Sequence, residues 1–129
     1  MRRLAITALF ALVAWYACGS ARSKPASETA NVYYINFVAE RYAGYQESEM
    51  KMVGCLYKVD VSVFRQLLES ASAGNVYNSR NATAEVDLPD GETYFIDRLG
   101  NVIDHDKVKS IDKDRFDQGL TLVPTKRCR

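Results

Sequence analysis

One pattern, typical of the start of a helix, occurs twice in the chain, in VDVSVFRQLL (residues 59–68) and in IDKDRFDQGL (residues 111–120). Each stretch has an apolar residue, Asp, three variable residues, Phe, one residue, Gln, one residue and Leu. Aspartate is a preferred N-cap, because its carboxylate accepts hydrogen bonds from amides that the first helical turn leaves unpaired. The repeat therefore predicts one helix after Asp60 and another after Asp112.

The apolar residues of the repeat have the spacing of a hydrophobic staple. If both aspartates are N-caps, Val59 and Phe64 take the N′ and N4 positions of the first helix, and Ile111 and Phe116 those of the second. The alternative is a catalytic pair of carboxylates. It is less favoured, because acid–base catalysis needs groups with separated pKa values in a cleft, whereas hydrogen bonds from backbone amides lower the pKa of a cap. The repeat is therefore interpreted as architectural.

The first residues have the layout of a secretory signal peptide. Arg2 and Arg3 precede an apolar run of 13 residues, from Leu4 to Tyr16, and small residues follow up to Ala21. Because a membrane span takes about 20 residues, no transmembrane segment is expected in the mature chain, and the protein is predicted to be exported to the periplasm or secreted. The predicted organisation is a signal peptide over residues 1–21, a flexible spacer over residues 22–30 and a single domain over residues 31–129.

Cleavage after Ala21 removes Cys18. The alternative is lipid attachment to Cys18, as in bacterial lipoproteins. Those proteins usually carry Leu and then a small residue where this chain has Trp15 and Tyr16. Removal of Cys18 is therefore favoured over a lipid anchor.

Charge and cysteine content narrow the class of protein further. Cleavage after Ala21 leaves 15 basic and 16 acidic residues, a formal charge of −1, with no clustered basic face for nucleic acid. Cys55 and Cys128 remain as an even pair, which in an exported chain indicates a disulfide.

Two-residue alternation of apolar and polar side chains predicts strands in five stretches. They are residues 31–42, 50–59, 75–88 (with the alternation over 83–88), 92–97 and 101–104. The first of these also fits helical spacing, so a helix there remains an alternative. The predicted fold is α+β, an antiparallel sheet of about five strands with one main helix after Asp60, a short C-terminal helix and a single disulfide.

His105 is the only histidine, and it lies between Asp104 and Asp106. Neighbouring carboxylates could help it bind a metal, but adjacent strand residues point to opposite faces, and the ligand spacings of zinc and calcium sites are missing. No serine has the context of a catalytic nucleophile. The sequence therefore predicts no catalytic residue, metal or cofactor.

Tyrosine is overused, with eight residues in 129, and it is enriched at protein interfaces, although core packing explains it equally well. The residues predicted for a contact surface are Tyr42, Tyr45, Asp90, Asp104, His105 and Asp106.

The predicted function is a small exported protein-binding domain, an inhibitor or immunity protein that blocks a partner enzyme or toxin. The alternatives are a small secreted hydrolase that uses Asp97, Asp104 and Asp106 around His105, and a lipid-anchored structural component of an envelope assembly.

Overall fold

An antiparallel sheet of eight strands dominates the computed structural model, which describes residues 27–36 and 44–128. The strands are β1 (Thr29–Tyr34), β2 (Cys55–Asp60), β3 (Ser72–Ala73), β4 (Ala82–Asp87), β5 (Thr93–Asp97), β6 (Asn101–Asp104), β7 (Lys107–Ser110) and β8 (Thr121–Leu122). Their order across the sheet is β3-β7-β6-β5-β4-β1-β2-β8. The prediction of about five strands is therefore wrong.

The missed strands are short and lie toward the two edges of the sheet. β3 and β8 have two residues each, too few to show an alternation of side chains. β7 has four residues, of which Val108 alone is apolar. They form because a neighbouring strand offers free backbone groups: β3 pairs with β7, and β8 pairs with β2.

Three short helices accompany the sheet: α1 (Met50–Val53), α2 (Val61–Glu69) and α3 (Lys113–Gln118). A 3-10 turn (Glu47–Glu49) precedes α1. In the residues that the structure describes, none of the helices has the length and apolar character to cross a membrane. The predicted strand over residues 50–59 is thus divided, with α1 in its first part and β2 in its second. Gly54 separates the two, and a Cβ there would lie 2.7 Å from the backbone nitrogen of Tyr34.

The predicted N-terminal organisation lies largely outside the described residues. The signal peptide, Cys18 and most of the spacer fall there, as does Tyr42. β1 begins at Thr29, and Ala30 is fully buried. Residues 29 and 30 therefore belong to the sheet rather than to a spacer.

Helices α2 and α3 share one core with a single face of the sheet. The buried residues of this core include Val32, Val86, Ile96 and Val102 from four strands, Phe64, Leu67 and Leu68 from α2, and Ile111 and Phe116 around the start of α3. The chain leaves β2 through α2 to reach β3 at the far edge, and it returns from β7 through α3 to β8 at the other edge. Both crossings place the apolar side of a short helix against the sheet.

The two phenylalanines of the repeated pattern pack in the same way. Phe64 meets the ring of Tyr94 edge-on, with the centroids 5.4 Å apart, and Phe116 meets the ring of Tyr34 at 5.6 Å. Edge-to-face contact adds to the energy of burial, because the positive ring edge faces the negative ring face. Each crossing helix is thus anchored by one aromatic pair.

The predicted disulfide between Cys55 and Cys128 is confirmed. The two Cα atoms are 5.8 Å apart, and the cysteines are separated by 73 positions in the sequence. The tail is also held by Arg127, whose guanidinium donates to the carbonyl oxygens of Met52 and Gly54. The C-terminal segment is therefore attached to the start of β2 by a covalent bond and by hydrogen bonds.

The two aspartates of the repeat differ in what their carboxylates do. Asp112 Oδ1 accepts hydrogen bonds from the backbone nitrogens of Asp114 at 3.1 Å and Arg115 at 3.2 Å. Asp60 occupies the N-cap position of α2, but its carboxylate bonds to none of the amides of that helix, all of which the structure describes. At Asp60 the expected cap bond is thus absent.

The backbone and the carboxylate of Asp60 have other partners. Asp60 is the last residue of β2 and pairs with Thr29, and the first amide of α2, that of Val61, donates to the carbonyl oxygen of Glu28 at 2.9 Å. The carboxylate instead accepts a hydrogen bond from Ser27 Oγ at 3.3 Å. The bond to Glu28 serves the first amide of α2, whereas a capping side chain accepts from the second or third amide, so it accompanies the missing cap bond without replacing it.

We expect Asp112→Ala to lower the free energy of unfolding by about 1 kcal/mol, because two amides of α3 lose their acceptor. Asp60→Ala should lower it by only a few tenths of a kcal/mol, since an exposed bond to Ser27 is all that is lost. Urea unfolding of the two variants compares these values directly. Equal losses would show that Asp60 caps its helix in solution.

Candidate functional site

Two turns of the sheet lie close together at one end. One joins β4 to β5 and contains Asp90 and Glu92, and the other joins β6 to β7 and consists of His105 and Asp106. We call this region the hairpin end, defined by Arg65, Asp90, Glu92, Tyr94, Asp104, His105, Asp106 and Lys109. Its centre is the hydroxyl of Tyr94, which lies 2.9 Å from Glu92 Oε2 and 3.5 Å from Asp104 Oδ1.

The β6–β7 turn has a backbone that few residue types adopt readily. His105 and Asp106 have φ values of 47° and 66°, and two positive φ values in succession are typical of a type I′ hairpin turn. This tight turn places the side chain of His105 81% exposed to solvent. Its Nδ1 atom lies 2.7 Å from Asp104 Oδ1.

Arg65 of α2 links the first turn to the helix. Its Nη2 atom lies 3.1 Å from Asp90 Oδ2, and its Nη1 atom lies 3.9 Å from Glu92 Oε2. Glu92 in turn accepts the hydrogen bond from Tyr94. The acidic turn is therefore fixed both to α2 and to β5.

Asp104 holds the second turn in place. It accepts a hydrogen bond from Lys109 Nζ at 2.7 Å, and the same Nζ donates to the carbonyl oxygen of Leu68 at 3.2 Å. Burial raises the pKa of Asp104, but hydrogen bonds from Lys109 and His105 outweigh this effect and lower the pKa below its usual value. Asp104 is therefore ionised at neutral pH and acts as an acceptor.

Tyr94 keeps its proton under the same conditions. Burial, together with its hydrogen bond to Glu92, raises the pKa of Tyr94 to about 12. A protonated hydroxyl between two carboxylates can donate to either one. Tyr94 therefore provides the polar link between the two turns from inside the core.

The structure divides the predicted contact surface between the two ends of the sheet. Asp90, Asp104, His105 and Asp106 come together at the hairpin end. Tyr45 lies at the opposite end, where its carbonyl oxygen accepts from the amide of Ala82 at 2.9 Å, and Tyr42 falls outside the described residues. Sequence reasoning did not find Arg65, Glu92, Tyr94 and Lys109 as members of this site. Their spacing along the chain contains no signal of the contacts among them.

Of the carboxylates suggested for a hydrolase around His105, Asp97 lies apart from Asp104 and Asp106. Asp97 lies at the β5–β6 turn and His105 at the β6–β7 turn, so the length of β6, about 10–13 Å at 3.3 Å per residue, lies between them. Asp60 and Asp112 are likewise apart. Asp60 pairs with Thr29, whereas Asp112 follows Ile111, whose amide bonds to Gly100 in the β5–β6 turn.

Within residues 27–36 and 44–128, no three His, Cys, Asp or Glu side chains are grouped so that they could hold a metal ion. Comparison of the chain with models of known protein families, with curated proteins and with solved structures found no match. The function is therefore inferred from the chemistry of its surfaces.

Proposed function

We propose that this protein is a small exported protein-binding domain of the inhibitor or immunity type, which contacts its partner through the hairpin end. The observation that carries this proposal is the network that joins two separate turns. Charged side chains on an exposed surface normally lose rotational freedom when a partner binds. Here Arg65, Tyr94 and Lys109 already hold the side chains of Asp90, Glu92 and Asp104 in place, so less of this entropy remains to be lost.

The charge of the hairpin end defines the chemistry of the partner. Asp90, Glu92 and Asp106 are all exposed, and Asp106 takes part in no ion pair among the described residues. A partner with a cationic patch around its active centre would be attracted to this surface, because complementary charges speed association and select among partners. An inhibitor or immunity protein of this kind would cover that centre and exclude its substrate.

The confirmed disulfide supports the exported part of the proposal. Disulfides form and persist in oxidising compartments such as the periplasm and the extracellular space. The partner should therefore be sought in the same compartments.

The test uses the exported form of the protein to capture its partner from periplasmic extract or culture supernatant, followed by affinity measurements on the purified pair. Asp106→Asn is expected to weaken binding about tenfold, mainly through a slower association rate that depends less on salt. Asn tolerates the positive φ at this position, so the turn should keep its shape. The matched control is Asp114→Asn, which removes the same charge from an exposed position on α3.

The control should bind within about twofold of the original protein, because an exposed charge far from the interface contributes little to binding. Equal losses in the two variants, or an association rate that is independent of salt, would contradict the placement of the interface at the hairpin end.

A further inference from the structure

A pocket of 540 Å³ lies at the opposite end of the sheet, between the β3–β4 loop and the β5–β6 turn. We call it the loop pocket. The lining residues that matter for its chemistry are Val76, Asn78, Arg80, Asp97, Arg98 and Leu99.

Buried Asp97 fixes the shape of the loop pocket by holding together the two segments that line it. It is 2% exposed, and its carboxylate accepts from the backbone nitrogens of Asn78, Leu99 and Asn101 at 3.2, 2.9 and 2.8 Å and from Asn101 Nδ2 at 3.2 Å. One buried carboxylate thus ties the β3–β4 loop to the β5–β6 turn. Because all four bonds come from amide groups, the negative charge of Asp97 is already satisfied.

Two arginines of the loop pocket donate hydrogen bonds from their backbone amides, whereas their guanidinium groups have no partner among the described residues. The amide of Arg80 donates to Asn78 Oδ1 at 3.0 Å, and the amide of Arg98 donates to the carbonyl oxygen of Asn81 at 2.9 Å. Neither guanidinium forms an ion pair or a hydrogen bond with the part of the chain that the structure describes. Both arginine residues are exposed, so they offer positive charge to a ligand.

Apolar side chains accompany these charges. Val76 is 75% exposed and Leu99 is 67% exposed, on the same loop and turn as the arginines. Side chains of this size gain free energy when a ligand covers them, about 25 cal/mol per Å² of apolar surface. The loop pocket therefore combines two cations with two aliphatic contacts.

A second, polar depression of 360 Å³ adjoins the loop pocket and shares Ser79 and Arg80 with it. Its other lining residues are Gln46, Glu47 and Ser48 around the 3-10 turn. Tyr77, in the wall of the loop pocket, donates a hydrogen bond to Glu47 and so joins the two regions. Together they form one groove, in which Ser79 and Arg80 belong to both depressions.

We propose that the loop pocket and this polar depression bind an extended acidic segment of another protein. Carboxylates of the segment pair with Arg80 and Arg98, since guanidinium and carboxylate groups form strong, charge-assisted hydrogen bonds. An aliphatic side chain of the segment covers Val76 and Leu99, and the amide and hydroxyl groups of the groove meet its peptide groups. This site is distinct from the hairpin end and does not rest on its proposed role.

The test titrates ¹⁵N-labelled full-length mature protein with the capped peptide Gly-Glu-Val-Glu-Leu-Gly and follows the amide signals by NMR. A binding free energy of about 4 kcal/mol corresponds to half-occupation of the site at about 1 mM peptide. At this concentration we expect the amide signals of Asn78, Arg80, Arg98 and Leu99 to shift. The double variant Arg80→Gln/Arg98→Gln should bind at least about tenfold more weakly. The matched control Lys107→Gln/Lys126→Gln, which removes the same charge from two exposed lysines outside the pocket, should bind within about twofold.

Three results would overturn the proposal. The first is equal binding of a peptide with Gln in place of Glu, and the second is the lack of any shift at these four amides. The third is tighter binding of inorganic phosphate or of a thymidine hexanucleotide, which would assign the pocket to phosphate or to nucleic acid. None of these results bears on the hairpin end, because the peptide carries no cationic residue.

Discussion

Phe64→Ala is expected to lower the free energy of unfolding by about 3–5 kcal/mol, the range found when a fully buried phenylalanine is truncated. Phe64 has no exposed surface and lies at the centre of the contact between α2 and the sheet. Truncation removes the apolar burial, leaves a cavity and takes away the edge-on contact with Tyr94. Because small domains have about 5–15 kcal/mol of total stability, the variant should be close to unfolding at physiological temperature.

Guanidinium or urea unfolding measures this loss, and Phe95→Ala is the matched control. Phe95 is on the same strand as Tyr94, but its side chain points to the other face of the sheet and is partly exposed. We expect the control to lose about 1–2 kcal/mol, since part of its ring already contacts water. Equal losses would show that α2 does not cover the main core.

A consequence for the hairpin end follows from the same substitution. Tyr94 connects Glu92 and Asp104, and its ring rests against Phe64. Loss of Phe64 should therefore loosen the network, and hydrogen exchange at the two turns should accelerate beyond what global destabilisation explains.

Removal of the disulfide is expected to destabilise the protein by about 4 kcal/mol. The bond closes a loop across 73 sequence positions, and the chain-entropy model gives a stabilisation of this size for such a loop. Cys55→Ser/Cys128→Ser should show the effect in chemical unfolding, and a reducing agent should produce the same shift in the original protein.

Arg127→Ala separates the covalent bond from the polar contacts of the tail. Its hydrogen bonds to the carbonyl oxygens of Met52 and Gly54 are lost while the disulfide remains, so we expect a loss of about 1–2 kcal/mol. If the cysteine variant lost no more stability than Arg127→Ala, the disulfide would restrict the unfolded chain very little. The entropy model would then not describe this protein.

Several elements could be predicted from the sequence because their signals are local. Phe64, Leu67 and Leu68 recur at helical spacing, and α2 covers residues 61–69 where this stripe lies. The alternation over residues 83–88, 92–97 and 101–104 corresponds to β4, β5 and β6. The even pair of cysteines predicted the disulfide, because such a pair in a chain expected to be exported would form a bond in an oxidising environment.

The sequence by itself therefore determined the inner strands β4, β5 and β6, the two crossing helices and the covalent attachment of the tail. Tertiary structure alone decided the short edge strands, the division of residues 50–59 and the bond from the amide of Val61 to Glu28 beside Asp60. It also brought Arg65 to Asp90 and placed Arg80 and Arg98 beside the same pocket. Periodicity reports only how neighbouring side chains face, whereas these features depend on backbone and charged groups that meet across long sequence separations. Their positions follow only when the whole sheet has formed.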